Sequence, residues 1–502
     1  MRFRIKARVK IEVVIALLLW YYIIHRAFSI SITQDEAYTY LLVKTNNWRQ
    51  SAGTANTHWL NSLFMRLFLW MPGTDNMWKL RMLSILTWPL YSFSAIKLSV
   101  NIKNPLVGFV FFLTIIANPF VIFYFSLARG YAAACTFILL ALWQAAKLIK
   151  LQEIRPRKWI LVFLFAAVAA LANFSAFYFF IALSATYSIQ LLVKKSIRLI
   201  LNKSALKWHV VVLGTFVFSI SSLAFIRYKK ELYYGGKNNI VDSLFGSMVK
   251  TFSYLGDSLR NYQTEGVSFL LSQQVSITYQ VIGWLIFLLL IIAFLFSVYS
   301  FYVSKQFSLG SFSILICFFM VLLNATFHLL FNTPYLLERT VLILYPPLIV
   351  GLFGINDTIR QHAESGKHIR NTVCCLLIIF LSYNFYRSAS LKTFKDWPVQ
   401  TDTQACLNYL ESSHAKNVGM SSWHYDVFIN YYLHAYPDKY HFQYKGIPEK
   451  ITTAGNGKQL YDFDYILICP PYYDSTVFKS WDLKLNFKES GARVYKKRIP
   501  GV

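Results

Sequence analysis

Apolar runs about 20 residues long recur through this sequence, and they constrain its fold more than any other feature. A helix needs about 20 apolar residues to cross a bilayer. Such runs lie at 11–32, 79–97, 106–124, 131–147, 208–227, 276–304, 309–331, 341–356 and 372–386. Of the 502 residues, 56% are hydrophobic and only 15% are charged. This balance is typical of a protein that crosses a membrane many times.

A further apolar block, 159–193, is too long for one span. The tripeptide Asn173-Phe174-Ser175 interrupts it, and polar residues of this kind mark turns. We therefore divide the block into two short helices joined by a tight turn, which brings the predicted number of spans to about eleven. The fold class that follows is a mainly α polytopic membrane protein.

The formal charge of +27 indicates topology rather than a nucleic-acid partner. Lys and Arg concentrate in short segments between the apolar runs, and such loops stay in the cytoplasm. A cytoplasmic N-terminus puts roughly twenty basic residues in inside segments, against about ten in the outside loops. The inside segments are then 1–10, 97–105, 147–158, 194–207, 305–308 and 357–371. We predict a multi-pass protein of the plasma or inner membrane, with membrane lipids around it and no nucleic acid.

The first apolar run resembles a signal peptide, but its length and its Trp and Tyr content favour an uncleaved anchor. Cleavage near Ser29-Ile30-Ser31 is the alternative.

Three predicted outside segments are large: a first loop at 33–78, a middle loop at 228–275, and everything after about residue 387. The membrane part is thus predicted to occupy 1–386. Residues 387–502 alternate helix-like stretches, such as TQACLNYLESS, with strand-like ones, such as YDFDYILIC. This alternation predicts a small extracytoplasmic α/β domain.

The stretch SITQDEAYTY puts two adjacent carboxylates, Asp35 and Glu36, directly after the first apolar run. Thr33 and Glu36 fit a capping box, which would start a helix along the membrane surface. The capping box alone accounts for Glu36. A capped helix would also hold Asp35 at a fixed depth for chemistry, so a structural and a functional interpretation both stay open.

Two arginines are predicted in short outside turns, where the positive-inside bias disfavours them. Arg129 and Tyr131 lie in FSLARGYAAACTF, and Glu338 and Arg339 lie in NTPYLLERTVLILYPPL. Either turn alone fits an ordinary snorkelling arginine. Two such arginines on the same side of the membrane as Asp35 and Glu36 favour a shared function. Arginine suits bidentate binding of phosphate. In the first loop, His58 precedes an aromatic-rich run and is either structural or part of the same site.

These residues fit a lipid-linked sugar phosphate, whose tail lies in the bilayer and whose phosphate lies at the interface. Arg129 and Arg339 would hold the phosphate. A polyprenyl phosphate is a good leaving group, so transfer of its sugar needs chiefly one base that deprotonates the acceptor. Asp35 is placed for that role.

At these residues the sequence resembles the GT-C type of integral membrane glycosyltransferases, the group of the protein O-mannosyltransferases and the lipid A aminoarabinose transferase. The resemblance covers roughly residues 11–386 through QDEAYTY, NTHWLNSLFMRL, SLARGYA and PYLLERTVLILYPPL, in that order. It implies a GT-C fold and inverting, mannosyltransferase-like transfer outside the membrane. The donor would be a polyprenyl-phosphate-linked sugar, and the acceptor a lipid, glycan or protein. Asp35 would be the catalytic base. The candidate substrate-binding residues are Glu36, His58, Arg129, Tyr131, Glu338 and Arg339.

Two departures from the family pattern leave the donor and any metal requirement open. Leu127 replaces the acidic residue usual before the Ala-Arg pair, and Trp59-Leu60 replaces a Pro-Pro pair. No cofactor is certain, and a divalent metal is the one candidate. Two rival functions fit the same features: an oligosaccharide polymerase or ligase, and a flippase for polyprenyl-linked glycans. Charged residues buried within the spans would favour the flippase, and the sequence has few of them.

Overall fold

The computed structural model is mainly helical over the residues that it describes, and these also form one small sheet near the C-terminus. It describes residues 2–45, 58–193, 235–236, 239–252, 267–304, 306–359, 367–391, 402–421, 423–447, 462–468, 481–487 and 492–498, with isolated residues 210, 214, 217, 221 and 478. The predicted run 208–227 and much of the predicted loop 228–275 lie outside the described residues.

Fourteen of the described helices precede the C-terminal domain. The first seven are α1 (Arg2–Ser29), α2 (Gln34–Lys44), α3 (Trp59–Leu69), α4 (Met77–Val100), α5 (Pro105–Ile116), α6 (Pro119–Phe125) and α7 (Gly130–Lys150). They are followed by α8 (Pro156–Ala172), α9 (Phe177–Val193), α10 (Ser247–Phe252), α11 (Val267–Ser304), α12 (Leu309–Phe331), α13 (Tyr345–Ile359) and α14 (Lys367–Ser388).

Six described helices are long and apolar enough to cross a membrane, and two bent pairs raise the number to eight if each pair is one span. The bent pairs are α1 with α2, at 72°, and α5 with α6, at 53°. Helices α4 and α8 also lie in predicted apolar runs, but they are not among the helices that are both long enough and apolar enough to cross a membrane. The chain is an integral multi-pass membrane protein, and the predicted count of about eleven spans is not confirmed.

Two breaks in the helices are visible in the sequence. The predicted division of 159–193 is confirmed, because α8 ends at Ala172 and a short 3-10 turn, Phe174–Ala176, leads into α9. The hydropathy of the run 106–124 predicts one straight helix, but the structure has two helices there, α5 and α6. Asn118 accepts hydrogen bonds from two backbone amides of α6, and Pro119 occupies its first turn, a residue pair that starts a new helix.

The contacts divide the chain into two compact units. The first unit contains residues 1–24, 52–63 and 83–389. The second contains residues 25–51, 64–82 and 390–502, so it joins pieces of the predicted first loop to the C-terminal tail. The domain division predicted near residue 387 stays a prediction.

The tail is an α/β module, as predicted. It contains α15 (Thr403–Ser412), β1 (Asn417–Ser421), α16 (Trp423–Ala435), β2 (Gln443–Ile447), β3 (Tyr465–Ile468), β4 (Trp481–Asn486) and β5 (Arg493–Lys497). The strand order is β2-β1-β3-β5-β4. β1 is parallel to β2 and β3, whereas β5 is antiparallel to β3 and β4. Apolar side chains such as Ile466, Trp481 and Tyr495 form its core.

Within the second unit, helix α2 packs on α16 through a buried polar contact. The Asp75 carboxylate accepts hydrogen bonds from the Tyr40 hydroxyl and the Lys44 ammonium, both at 2.7 Å. The Asp75 backbone carbonyl accepts from the Tyr431 hydroxyl of α16 at 2.9 Å. The rings of Tyr40 and Tyr431 meet edge to face at 5.0 Å. These contacts hold the helix that carries Asp35 against the C-terminal module.

Candidate functional site

The capping box predicted at the start of α2 is confirmed. The Thr33 hydroxyl accepts a hydrogen bond from the Glu36 backbone amide at 3.3 Å, and the Glu36 carboxylate accepts from the Thr33 amide at 2.9 Å. Asp35 occupies the second helical position and is 9% exposed. Negative charge in the first turn is favourable to a helix. The cap therefore fixes the backbone that carries Asp35.

Glu36 forms a buried ion pair that the sequence did not reveal. Arg81 of α4 donates from Nε to one carboxylate oxygen and from Nη2 to the other, both at 2.8 Å. Neither side chain is exposed to solvent. Paired bidentate geometry is what a guanidinium offers a carboxylate. Both oxygens of Glu36 are thus engaged within the protein.

The Arg81 guanidinium uses all five of its N–H donors. Beside its two bonds to Glu36, it donates to three backbone carbonyls at 2.8 to 3.1 Å. Those carbonyls belong to Ala27, Ile30 and Ser31, at the end of α1 and in the turn before α2. A fully satisfied buried guanidinium is a rigid element. Arg81 therefore fixes the turn between α1 and α2 as well as the cap.

A second group of polar residues lies in the first unit, and we call it the arginine cluster: His58, Arg129, Tyr131, Asn173 and Arg339. The Arg129 side chain is 1% exposed, and His58 and Tyr131 are also buried. The rings of His58 and Tyr131 meet edge to face with centroids 5.2 Å apart. The Arg129 guanidinium carbon lies 6.0 Å from the Tyr131 ring centre. Three of the predicted site residues thus lie together.

Gly130 permits the close approach of three turns within this cluster. A Cβ at Gly130 would lie 1.6 Å from the Ala172 carbonyl oxygen and 3.0 Å from His58 Nδ1. Any side chain there would push apart the end of α8, the start of α7 and the histidine. The Asn61 amide, one turn along from His58, donates to the Ala128 carbonyl at 2.9 Å. The turn that carries Arg129 is therefore held by backbone contacts on both sides.

Burial lowers the pKa of His58 well below its usual 6.5, and the positive charges of Arg129 and Arg339 lower it further. The neighbouring Ala172 carbonyl opposes this shift only in part. His58 is therefore neutral near neutral pH. Neither ring nitrogen makes a hydrogen bond of normal geometry to any residue that the structure describes. Both arginines lie close enough to His58 to act on its charge, so Arg339 belongs to the cluster electrostatically.

Glu338 and Arg339 begin a 3-10 turn, Glu338–Leu344, that leads into α13. Glu338 has a positive φ of 48°, which is uncommon for a residue other than glycine. The strand-like residue Tyr335 just before it pairs with Gly236, each backbone amide donating to the other residue's carbonyl at 2.8 to 3.0 Å. A Cβ at Gly236 would lie 1.9 Å from the Ser243 hydroxyl. The middle-loop glycines of YYGGKNN thus support the segment that carries Arg339.

Of the predicted site residues, His58, Arg129, Tyr131 and Arg339 come together in the first unit, and Asp35 and Glu36 lie side by side in the second. Sequence reasoning missed Arg81, and it used Asn173 only as a helix break. Among the described residues, no group of three or more His, Cys, Asp or Glu side chains could hold a metal ion.

Comparisons with known proteins find several similar solved structures, two of which are described below. The chain is similar to ArnT from Cupriavidus metallidurans in the apo state, with 10% identity, 98% of each chain covered and a TM-score of 0.41. It is also similar to the Archaeoglobus fulgidus oligosaccharyltransferase complex with Zn and sulfate. There the identity is 12%, 97% of this chain and 73% of the other are covered, and the TM-score is 0.39. No family model and no curated protein sequence matches the chain.

Proposed function

We propose that this protein transfers a sugar from a polyprenyl-phosphate donor to an acceptor hydroxyl on the extracytoplasmic side of a membrane. The observation that carries the proposal is the arginine cluster. A multi-pass membrane protein buries Arg129 almost completely in a turn between apolar helices, and Arg129 and Arg339 both lower the pKa of the buried His58. A guanidinium binds phosphate through paired, charge-assisted hydrogen bonds. The phosphate at the end of a lipid tail is an anion of that kind.

The proposed reaction needs one base and one anion site. Asp35 takes the proton from the acceptor hydroxyl, and the acceptor oxygen forms a bond to C1 of the sugar. The bond between C1 and the phosphate oxygen breaks, and its electron pair stays on the phosphate. The lipid phosphate then carries one more negative charge than before. Arg129 and Arg339 stabilise that developing charge, because positive groups aimed at a developing anion lower the barrier. Attack opposite the leaving phosphate inverts C1.

The other candidate residues have supporting roles in this proposal. Tyr131 and His58 form the wall beside Arg129. Glu338 lies next to Arg339 and would contact the sugar or the acceptor. Glu36 was predicted to bind substrate, and its bonds to Arg81 and Thr33 favour a positioning role for it. Mannose as the sugar, and a lipid, glycan or protein as the acceptor, stay predictions.

The two arginines give the test of the phosphate role. We expect Arg129→Gln and Arg339→Gln each to lower sugar transfer by about 10²- to 10³-fold, as removal of one stabilising donor does elsewhere. The measurement is the initial rate of transfer from polyprenyl-phosphate sugars by purified protein. The matched control is Arg155→Gln. Its side chain is 65% exposed and pairs with Glu153, so we expect the wild-type rate.

Wild-type rates in both arginine variants would refute the phosphate role. Movement of lipid-linked sugar across a vesicle membrane, without transfer to any acceptor, would instead support the flippase.

We also propose that the N-terminus is cytoplasmic and that the C-terminal module is extracytoplasmic, on the side of Asp35. The support is the distribution of basic residues. The test is labelling with a membrane-impermeant thiol reagent in a variant that lacks the native cysteines. We expect a cysteine introduced at Lys439, in the tail, to react in intact cells. A cysteine introduced within 194–207 should stay unlabelled. The reverse result would overturn the topology.

A further inference from the structure

Asn173 lies between helices α8 and α9, and its side-chain amide N–H₂ group lacks a hydrogen-bond acceptor among the described residues. It follows the last residue of α8, and its side chain is 2% exposed. Its side-chain oxygen accepts a hydrogen bond from the Ser175 backbone amide at 2.9 Å and so caps the turn Phe174–Ala176. Its Nδ2 group makes no hydrogen bond to any residue that the structure describes. A buried amide N–H₂ without an acceptor is rare in proteins.

The orientation of this amide follows from the cap. Oxygen and nitrogen of an asparagine side chain are assigned from their hydrogen bonds. The Ser175 amide is a donor, so the atom that faces it must be the oxygen. The N–H₂ group is therefore the atom left over, and turning the amide over would give up the cap. The spare donor is a consequence of the fold at this turn.

Asn173 lies in the same group of turns as the arginine cluster. The carbonyl of the preceding residue, Ala172, lies against Gly130 and beside the His58 imidazole. Arg129 and Arg339 both act on that imidazole, and the turn Phe174–Ala176 contacts the turn that begins at Glu338. Two positive groups and a spare neutral donor thus belong to one group of turns. A phosphate oxygen is an acceptor that both guanidinium and amide N–H groups bind.

We propose that the Asn173 amide donates a hydrogen bond to the phosphate of the lipid-linked substrate, as the neutral partner of the two arginines. This inference rests on the proposed function, since that function supplies the phosphate. The donor carries one negative charge on its phosphodiester, and the released lipid monophosphate gains a second. A hydrogen bond to the phosphate strengthens as that charge develops. The site thereby recognises the phosphate itself, independently of the sugar.

The test separates the cap from the donor. Asp and Ser are both good capping residues, so Asn173→Asp and Asn173→Ser should keep the turn. Asn173→Asp replaces the donor by a carboxylate that repels phosphate, and Asn173→Ser removes the long amide donor without adding charge. We expect affinity for sugar-free polyprenyl phosphate to fall by roughly 10- to 100-fold in the Asp variant. The Ser variant should lose less. Affinity for the uncharged polyprenol should not change in either.

The control is Asn104→Asp, which makes the same change at another capping asparagine. Asn104 accepts from the backbone amides of Leu106 and Val107 at the start of α5. We expect wild-type phosphate affinity and thermal stability in this variant.

Four outcomes decide the inference. Wild-type affinity for polyprenyl phosphate in Asn173→Asp would overturn it, and so would lack of binding by the wild-type protein. If the wild-type protein binds polyprenyl phosphate, Asn173→Asp binds it more weakly, and the wild-type protein transfers no sugar, the phosphate contact stands and the proposed transferase fails. If transfer proceeds at the wild-type rate in both Asn173 variants, the transferase stands and this contact fails.

Discussion

Replacing Asp35 by asparagine is expected to lower the rate of sugar transfer by about 10²- to 10⁴-fold, the usual contribution of a general base. Asparagine keeps the size of the side chain and its capacity to accept a hydrogen bond, but it does not take a proton from an acceptor hydroxyl. The cap of α2 uses Thr33 and Glu36, so it should persist. The measurement is the initial rate with saturating donor, together with the thermal stability of the purified variant.

The matched control is Asp75→Asn, the same chemical change at another buried acid of the second unit. Asp75 accepts from Tyr40 and Lys44, so its replacement should lower thermal stability. Its effect on the rate should be far smaller than that of Asp35→Asn. An Asp35→Asn protein that is stable, binds polyprenyl phosphate and transfers sugar at the wild-type rate would remove Asp35 from the mechanism. The first turn of α2 would then be a helix cap only.

Local signals in the sequence predicted the parts of the fold that local forces determine. The capping box at Thr33 and Glu36 involves residues three apart, and the break at Asn173 follows from helix length and one polar residue. The α/β alternation of the tail is likewise a property of short windows. The bend at Asn118-Pro119 was available by the same reasoning. It was missed because the hydropathy of the whole run 106–124 outweighed the two residues that start a new helix.

Long-range pairs explain what the sequence left out. Arg81 lies near the start of a predicted span, and its partner Glu36 lies 45 residues earlier. A charged residue at the boundary of an apolar run is expected to have a partner of opposite charge, but the spacing of residues in the sequence does not identify that partner. The association of residues 64–82 with the tail also depends on contacts between residues far apart in the sequence. Asp75 meets Tyr431 across 356 residues, and nothing in either local pattern indicates the contact.

The candidate site shows the same division. Arg129 and Arg339 were recognisable because arginines in short outside turns run against a topological bias. Their association with His58 was not, because it depends on Gly130, which lets the Ala172 carbonyl and the imidazole approach its backbone. The spare amide of Asn173 was also hidden, since a sequence does not tell which end of an asparagine a cap will use.

Arg81→Met is expected to destabilise the fold strongly. It leaves the Glu36 carboxylate buried without a positive partner and leaves three backbone carbonyls, of Ala27, Ile30 and Ser31, without a donor. Breaking a buried ion pair in this way typically costs about 3–5 kcal/mol of unfolding free energy. That is a large share of the stability of an ordinary domain. The measurement is the yield of monodisperse protein in detergent and its melting temperature.

Glu36→Gln tests the other half of the pair. From the sequence alone a mild effect is expected, because glutamine also serves in a capping box. The buried Arg81 changes that expectation, since glutamine leaves its charge uncompensated and the variant should melt well below the wild type. The double variant Glu36→Gln with Arg81→Met removes both charges, so it should melt above Arg81→Met alone. The exposed pair of Glu153 and Arg155 is the control, and Arg155→Met should change little. If Arg81→Met has the yield, melting temperature and transfer rate of the wild type, the ion pair does not hold the helix that carries Asp35.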